Sequence, residues 1–173
     1  MKRLFSPYWL WVLFALPMAG LLWGIMAAPT SEAMTKAVHN GLHPTGEFAA
    51  RFLIVAMMAT PLVRLLPGWR GPRWLVRNRR YFGVASFAYA AVHTVFYVMD
   101  AGTLAAVVGD IPKTYIWTGW GAFVIFLPLA ATSMDLALRK MGPKRWKALQ
   151  RWTYGAAVLT LIHWAALDDW AGL

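Results

Sequence analysis

The 173-residue chain is 60% hydrophobic, only 14% charged and has a mean hydropathy of +0.49. A soluble domain usually carries about a quarter charged residues, so that class is excluded. There is no cysteine, which rules out disulfides, iron–sulfur clusters and thiol catalysis and leaves histidine or oxygen as metal ligands. The net charge of +10 lies between apolar runs, so it reads as membrane topology with affinity for anionic lipid, not as nucleic-acid binding.

The pattern predicts an all-α, polytopic membrane bundle of about five spans, one transmembrane domain over residues 1–173. The first span is expected over 8–28, behind Lys2 and Arg3, with Trp9, Trp11 and Trp23 as interfacial anchors and Pro17 as a kink. It is too long for a signal-peptide core. Residues Pro29 to Pro44 then read as a polar external loop carrying His39 and His43, where solvated side chains are commoner than a surface metal site. The second span is expected over 46–66, with Arg51 and Arg64 near its ends, followed by the breaker run Pro67 to Pro72.

A third span over 81–99 carries His93, and Asp100 to Lys113 reads as a second external loop. The fourth span, over 114–134, has Trp117 and Trp120 at its external end and a bend at Pro128. A second basic loop runs from Asp135 to Lys147, and a fifth span over 148–167 carries His163, with Asp168, Asp169 and Trp170 outside. Fourteen of the 17 basic residues then lie on one side, all but Lys36, Arg51 and Lys113. The positive-inside rule makes that side the cytoplasm, with the N-terminus inside and the C-terminus periplasmic. No internal repeat is evident.

No carboxylate is expected deep within a span, and there is no Walker motif, dinucleotide fingerprint or His-Glu-x-x-His sequence. An ion pump or transporter therefore has little support. What remains is a pair of intramembrane histidines. At about 1.5 Å per residue His93 and His163 lie roughly 16 and 22 Å in from the cytoplasmic side. Two imidazoles at similar depth on separate helices can clamp a haem iron axially. Small residues stand at matching offsets before each: Ser86 and Ala90, then Ala156 and Thr160. They leave room for a flat macrocycle, or else permit close helix packing around histidines that merely bond between helices.

Several short motifs carry a family resemblance. They are Thr45-Gly46; Thr60-Pro61-Leu62-Val63-Arg64; Val76-Arg77-Asn78-Arg79-Arg80 with Gly83; and Tyr89-Ala90-Ala91-Val92-His93 with Tyr97. Further on come Leu129-Ala130-Ala131-Thr132-Ser133, Met141-Gly142-Pro143-Lys144-Arg145-Trp146 with Leu149, and Tyr154 through Ile162-His163. In this order and spacing the chain resembles the haem-binding membrane subunits of the bacterial methionine sulfoxide reductase system (the MsrQ or YedZ family), within the ferric-reductase-like transmembrane superfamily.

The resemblance implies a b-haem electron-transfer subunit of the cytoplasmic membrane, itself at most one part of an oxidoreductase. His93 and His163 correspond to haem-ligand positions, and Arg51 is a candidate partner for a haem propionate or else an anchor that snorkels to the headgroups. The acceptor would be a periplasmic molybdenum reductase or a larger membrane complex, and the donor a cytoplasmic flavin reductase or a quinol. FMN or quinone binding has no residue pattern of its own here. The chain departs from the family twice. Gln150 stands where a third histidine is usual, which reduces the expected haem count to one, and the chain stops soon after its fifth span where members commonly have a sixth. The alternative is a structural or assembly subunit of a larger membrane complex, with haem vestigial or absent.

Overall fold

The computed structural model describes residues 8–167. Lys2 and Arg3, expected before the first span, and Asp168, Asp169 and Trp170, expected after the last, lie outside the described residues. Among the described residues the chain is built of α-helices without strands, as an apolar chain must be if its backbone polar groups are to be satisfied in lipid. Four helices are long and apolar enough to cross a membrane. They are α1 (Trp9–Met26), α2 (Ser31–Leu65), α3 (Arg70–Ala101) and α5 (Thr114–Ala131). Shorter helices are α4 (Leu104–Asp110), α6 (Asp135–Met141), α7 (Pro143–Gln150) and α8 (Trp152–Leu167). The expected fifth span, over 148–167, takes in the end of α7 and the whole of α8, which at 16 described residues is shorter than α1, α2, α3 and α5.

Four expected loops turn out to be largely helical. The polar segment before Pro44 is the first part of α2, so His39 and His43 sit on a helix. Its start is set by Thr30, whose hydroxyl accepts from the Ala33 amide at 3.1 Å, with Glu32 in the first turn. Pro44 lies inside the helix, not before it. At 35 residues α2 is about 52 Å long, well beyond the ~30 Å hydrocarbon layer. The first basic segment is mostly the opening turns of α3. Pro72 is tolerated there because first-turn amides have no helical acceptor, and the link from α2 turns at Gly68 with φ of 96°. The second basic segment folds as α6 and α7, separated by Gly142 at φ of 75° and restarted by Pro143. The segment after Asp100 contains α4, capped by Thr103.

Packing divides the chain into two units, one ending at Asp100 and the other beginning at Ala101. In the first, Leu10 and Phe14 of α1 and Ala85 of α3 are buried, with Phe52, Tyr81 and Phe82 packed on them. Tyr89 of α3 enters the hydrogen-bond ladder of α1. Its hydroxyl donates to the Phe14 carbonyl at 2.8 Å and receives the Met18 amide at 3.0 Å, beside Pro17. These are the two groups that an unbroken helix would join directly. A side chain inserted into the ladder is a recognised cause of a bend, and here it reinforces the proline. Ser86 donates to the Ala49 carbonyl at 2.8 Å, drawing α3 onto α2.

In the second unit α5 and α8 run antiparallel in close contact. Gly121 lies against Leu159, and Gly155 against Ile125. Small residues at such a seam let backbones approach. At the end of α5, the Trp146 indole donates to the Thr132 carbonyl at 2.9 Å and ties α7 to it.

Candidate functional site

His93 projects from α3 onto α2 at Gly46. Its Nδ1 lies 3.0 Å from the Leu42 carbonyl oxygen and 3.3 Å from the Thr45 hydroxyl oxygen. A carbonyl can only accept, so Nδ1 carries the proton. Thr45 is fully buried, and its hydroxyl bonds back to the carbonyls of Gly41 at 2.7 Å and Leu42 at 2.9 Å. Gly46 makes the approach possible. A β-carbon there would stand 3.1 Å from Cε1 and 3.2 Å from Nδ1 of the imidazole.

His163 meets the same arrangement in the second unit. It projects from α8 onto α5 at Gly119, and its Nδ1 hydrogen-bonds the Tyr115 carbonyl. The preceding residue is again a threonine. Thr118 is fully buried and bonds back to the carbonyls of Thr114 at 2.7 Å and Tyr115 at 3.3 Å. A β-carbon at Gly119 would stand 2.9 Å from Nδ1, closer than real contacts allow.

Each imidazole is therefore held in the same tautomer by a backbone carbonyl. In a neutral imidazole with its proton on Nδ1, the lone pair is on Nε2. That is the state a metal-ligating histidine adopts, with its other nitrogen bonded to a carbonyl or carboxylate that fixes ring orientation and raises ligand basicity. The donor chemistry of each histidine, taken by itself, thus fits ligation of a haem iron. Among the described residues no three His, Asp or Glu side chains converge as ligands for a bare metal ion.

The other expected residues fall elsewhere. Because α2 starts at Ser31, Arg51 lies near its middle and not at its external end. It is ion-paired with Glu47 one turn earlier, and its guanidinium lies 5.6 Å from the Phe48 ring centre. Glu47 itself adjoins Gly46, so a carboxylate does sit mid-helix, neutralised by its neighbour. His39 pairs with Asp100 at 3.1 Å on an exposed surface, and His43 is exposed. Gln150 donates to the Leu129 carbonyl at 3.3 Å and to the Thr132 hydroxyl at 3.2 Å, so its amide serves the C-terminal end of α5. Of the small residues before each histidine, Ser86 and Ala156 are fully buried, and Ser86 is bonded to α2. Sequence reasoning had not singled out Thr118 and Gly119. Their signal was present, since the pair repeats Thr45-Gly46.

Comparison with known proteins identifies the family. The family model for the ferric reductase like transmembrane component matches residues 45–161, from the first threonine of the site almost to His163. The chain is 36% identical over 154 residues to the protein-methionine-sulfoxide reductase heme-binding subunit MsrQ of Azospira oryzae, covering 87% of this chain and 61% of that one. It is 36% identical over 146 residues to the subunit of the same name from Rhodospirillum rubrum, covering 82% and 64%. For the Rhizobium meliloti subunit the identity is 35% over 167 residues, covering 95% and 74%. The chain thus spans less than two thirds of the length of the first two relatives. No solved structure matches. The chain belongs to the ferric-reductase-like transmembrane family and, within it, to the MsrQ group of membrane subunits.

Proposed function

We propose that this protein is a b-haem-binding electron-transfer subunit of the bacterial cytoplasmic membrane, with His93 and His163 as the axial ligands of one haem. The observation that carries the reading is the shared state of the two imidazoles, each holding its proton on Nδ1 against a backbone carbonyl. The names of its relatives, heme-binding subunits of a protein-methionine-sulfoxide reductase, support the same cofactor.

When bound, the haem supplies a one-electron couple. The protein's part is to fix both ligands so that little rearranges as the charge changes, and to keep water away with apolar helices. Electrons would enter from a cytoplasmic flavin reductase or a quinol and leave to a periplasmic methionine sulfoxide reductase. Arg51 is the candidate partner for a propionate, and that group would join an existing pair with Glu47. The basic turns at Arg70, Arg73, Arg77, Arg79 and Arg80 and the helices α6 and α7 would face the cytoplasm.

Purified protein should show a b-type spectrum, and a pyridine haemochrome assay should return one haem per chain. Absence of haem from protein purified out of a haem-sufficient membrane would refute the reading.

A further inference from the structure

The two histidine sites share a register that extends beyond the ligands. On α2 the buried positions Thr45, Ala49 and Leu53 follow one another at four-residue steps. On α5 the buried positions Thr118, Ala122 and Phe126 do the same. The helix facing each carries a fully buried small residue seven positions before its histidine, Ser86 in one unit and Ala156 in the other. In both, the accepting carbonyl belongs to the residue three before the threonine, and the glycine follows directly. Thr45, Ser86 and Thr118 are the buried polar residues of the described chain. Two of the three are the threonines that stand beside a histidine.

From this register we infer that Thr45-Gly46 and Thr118-Gly119 are a duplicated positioning device, which fixes the tautomer and stand-off of each histidine and so sets the ligand strength of its Nε2. The inference rests on the haem reading and adds to it a role for residues that touch no iron. Elsewhere in the chain Thr35, Thr94 and Thr160 also return their hydroxyls to the carbonyl four residues back. That bond alone is an ordinary way for a helical threonine to satisfy itself. What distinguishes Thr45 and Thr118 is that the carbonyl one position further on, also within reach of the hydroxyl, is the one that accepts the imidazole N–H. At Thr45 the hydroxyl oxygen is itself within 3.3 Å of Nδ1, so the N–H is shared between two acceptors. The glycine removes the one atom that would hold the ring off.

The consequence has a sign. A stronger acceptor on Nδ1–H gives the imidazole more imidazolate character, which stabilises ferric over ferrous iron and lowers the midpoint potential. Thr45→Val keeps side-chain volume but removes the hydroxyl that shares the His93 N–H, so the potential should rise, and Thr45→Ser should restore it. A tenfold loss of ferric preference reads as about 59 mV for a one-electron couple. Gly119→Ala should perturb the low-spin electron paramagnetic resonance signal more than Gly46→Ala, because its new β-carbon would lie at 2.9 Å from the ring and not 3.1 Å. Gly83→Ala, on the same helix as His93 with nothing within 4 Å of its new β-carbon, should leave the signal unchanged.

The test is redox titration and resonance spectroscopy of these haem-loaded variants, together with 15N spectra of the imidazoles in haem-depleted wild-type protein. A raised potential in Thr45→Val, rescue by Thr45→Ser and an Nδ1–H tautomer at both histidines support the inference. A folded, haem-loaded Thr45→Val variant with wild-type potential and signal would overturn it, as would an Nε2–H tautomer at either histidine. If wild-type protein binds no haem, the proposed function fails instead, and the tautomer measurement alone decides whether the positioning device exists.

Discussion

Nδ1 of His93 lies 3.0 Å from the carbonyl oxygen of Leu42, one helical turn before Gly46. That single bond links three features that look unrelated in the sequence: a histidine in one span, a Thr-Gly pair in another, and a carbonyl on the same helix as the pair. It also reconciles two explanations of an intramembrane histidine. An imidazole that bonds between helices through Nδ1 is not thereby removed from ligation, because the same bond prepares Nε2 to coordinate.

Tyr89 offers a test of the first unit's packing. Tyr89→Phe leaves the Met18 amide and the Phe14 carbonyl without the hydroxyl that joins them. An unmet buried polar group costs about 1–3 kcal/mol. Helix α1 can recover part of that by closing its own ladder. Thermal unfolding in detergent should show a lower midpoint for the variant, with haem content per folded chain retained. An unchanged midpoint would mean that the hydroxyl contributes nothing to holding α1 on α3.

Gln150 bears on haem number. Its amide is engaged at the end of α5 with Leu129 and Thr132, so Gln150→Ala should cost stability, about 1 kcal/mol, without changing haem content. Gln150→His should still bind one haem. Position 150 closes α7 against α5, whereas His163 lies on α8. A ratio of two in the histidine variant would contradict this, and a ratio near two in the wild type would contradict the single-haem account as a whole.

The positive-inside rule makes a prediction about topology. Of the three basic residues outside the clustered segments, Arg51 is paired with Glu47 and Lys113 with Asp110. The hydrogen bond to Asp110, followed by its charge, raises the Lys113 pKa above the ordinary lysine value. Pairing weakens the claim of these two residues as inside signals and leaves the basic clusters to decide orientation. Reporter fusions at Lys140 and at the C-terminus should therefore give opposite signals. Identical signals would contradict the five-span topology.

Much of this was legible in the sequence, for identifiable reasons. Long apolar runs announced the helices, and His93 and His163 stood out because an ionisable side chain in lipid is costly and rarely incidental. The start of α2 was hidden because residues 31–44 are polar and Pro44 resembles a boundary, although Thr30 and Glu32 already formed an N-terminal signal. The bond from Tyr89 to α1 spans 75 residues and has no local signature. Arg51 was placed at a helix end only because the helix was expected to begin too late. The Thr118-Gly119 pair could have been found by asking whether Thr45-Gly46 recurs near the partner of the second histidine. A repeat of so few residues is invisible to composition and becomes evident only when the opposing histidines are aligned.

Ligation by the two histidines is tested most directly by the optical spectrum of His93→Ala and His163→Ala beside His39→Ala and His43→Ala. Removing either proposed ligand should convert a six-coordinate low-spin spectrum to a five-coordinate one or abolish the haem, while each helix remains apolar enough to insert. His39→Ala breaks an exposed pair with Asp100 and His43→Ala changes an exposed side chain, so both should keep the wild-type spectrum. A wild-type low-spin spectrum in either His93→Ala or His163→Ala would contradict the account.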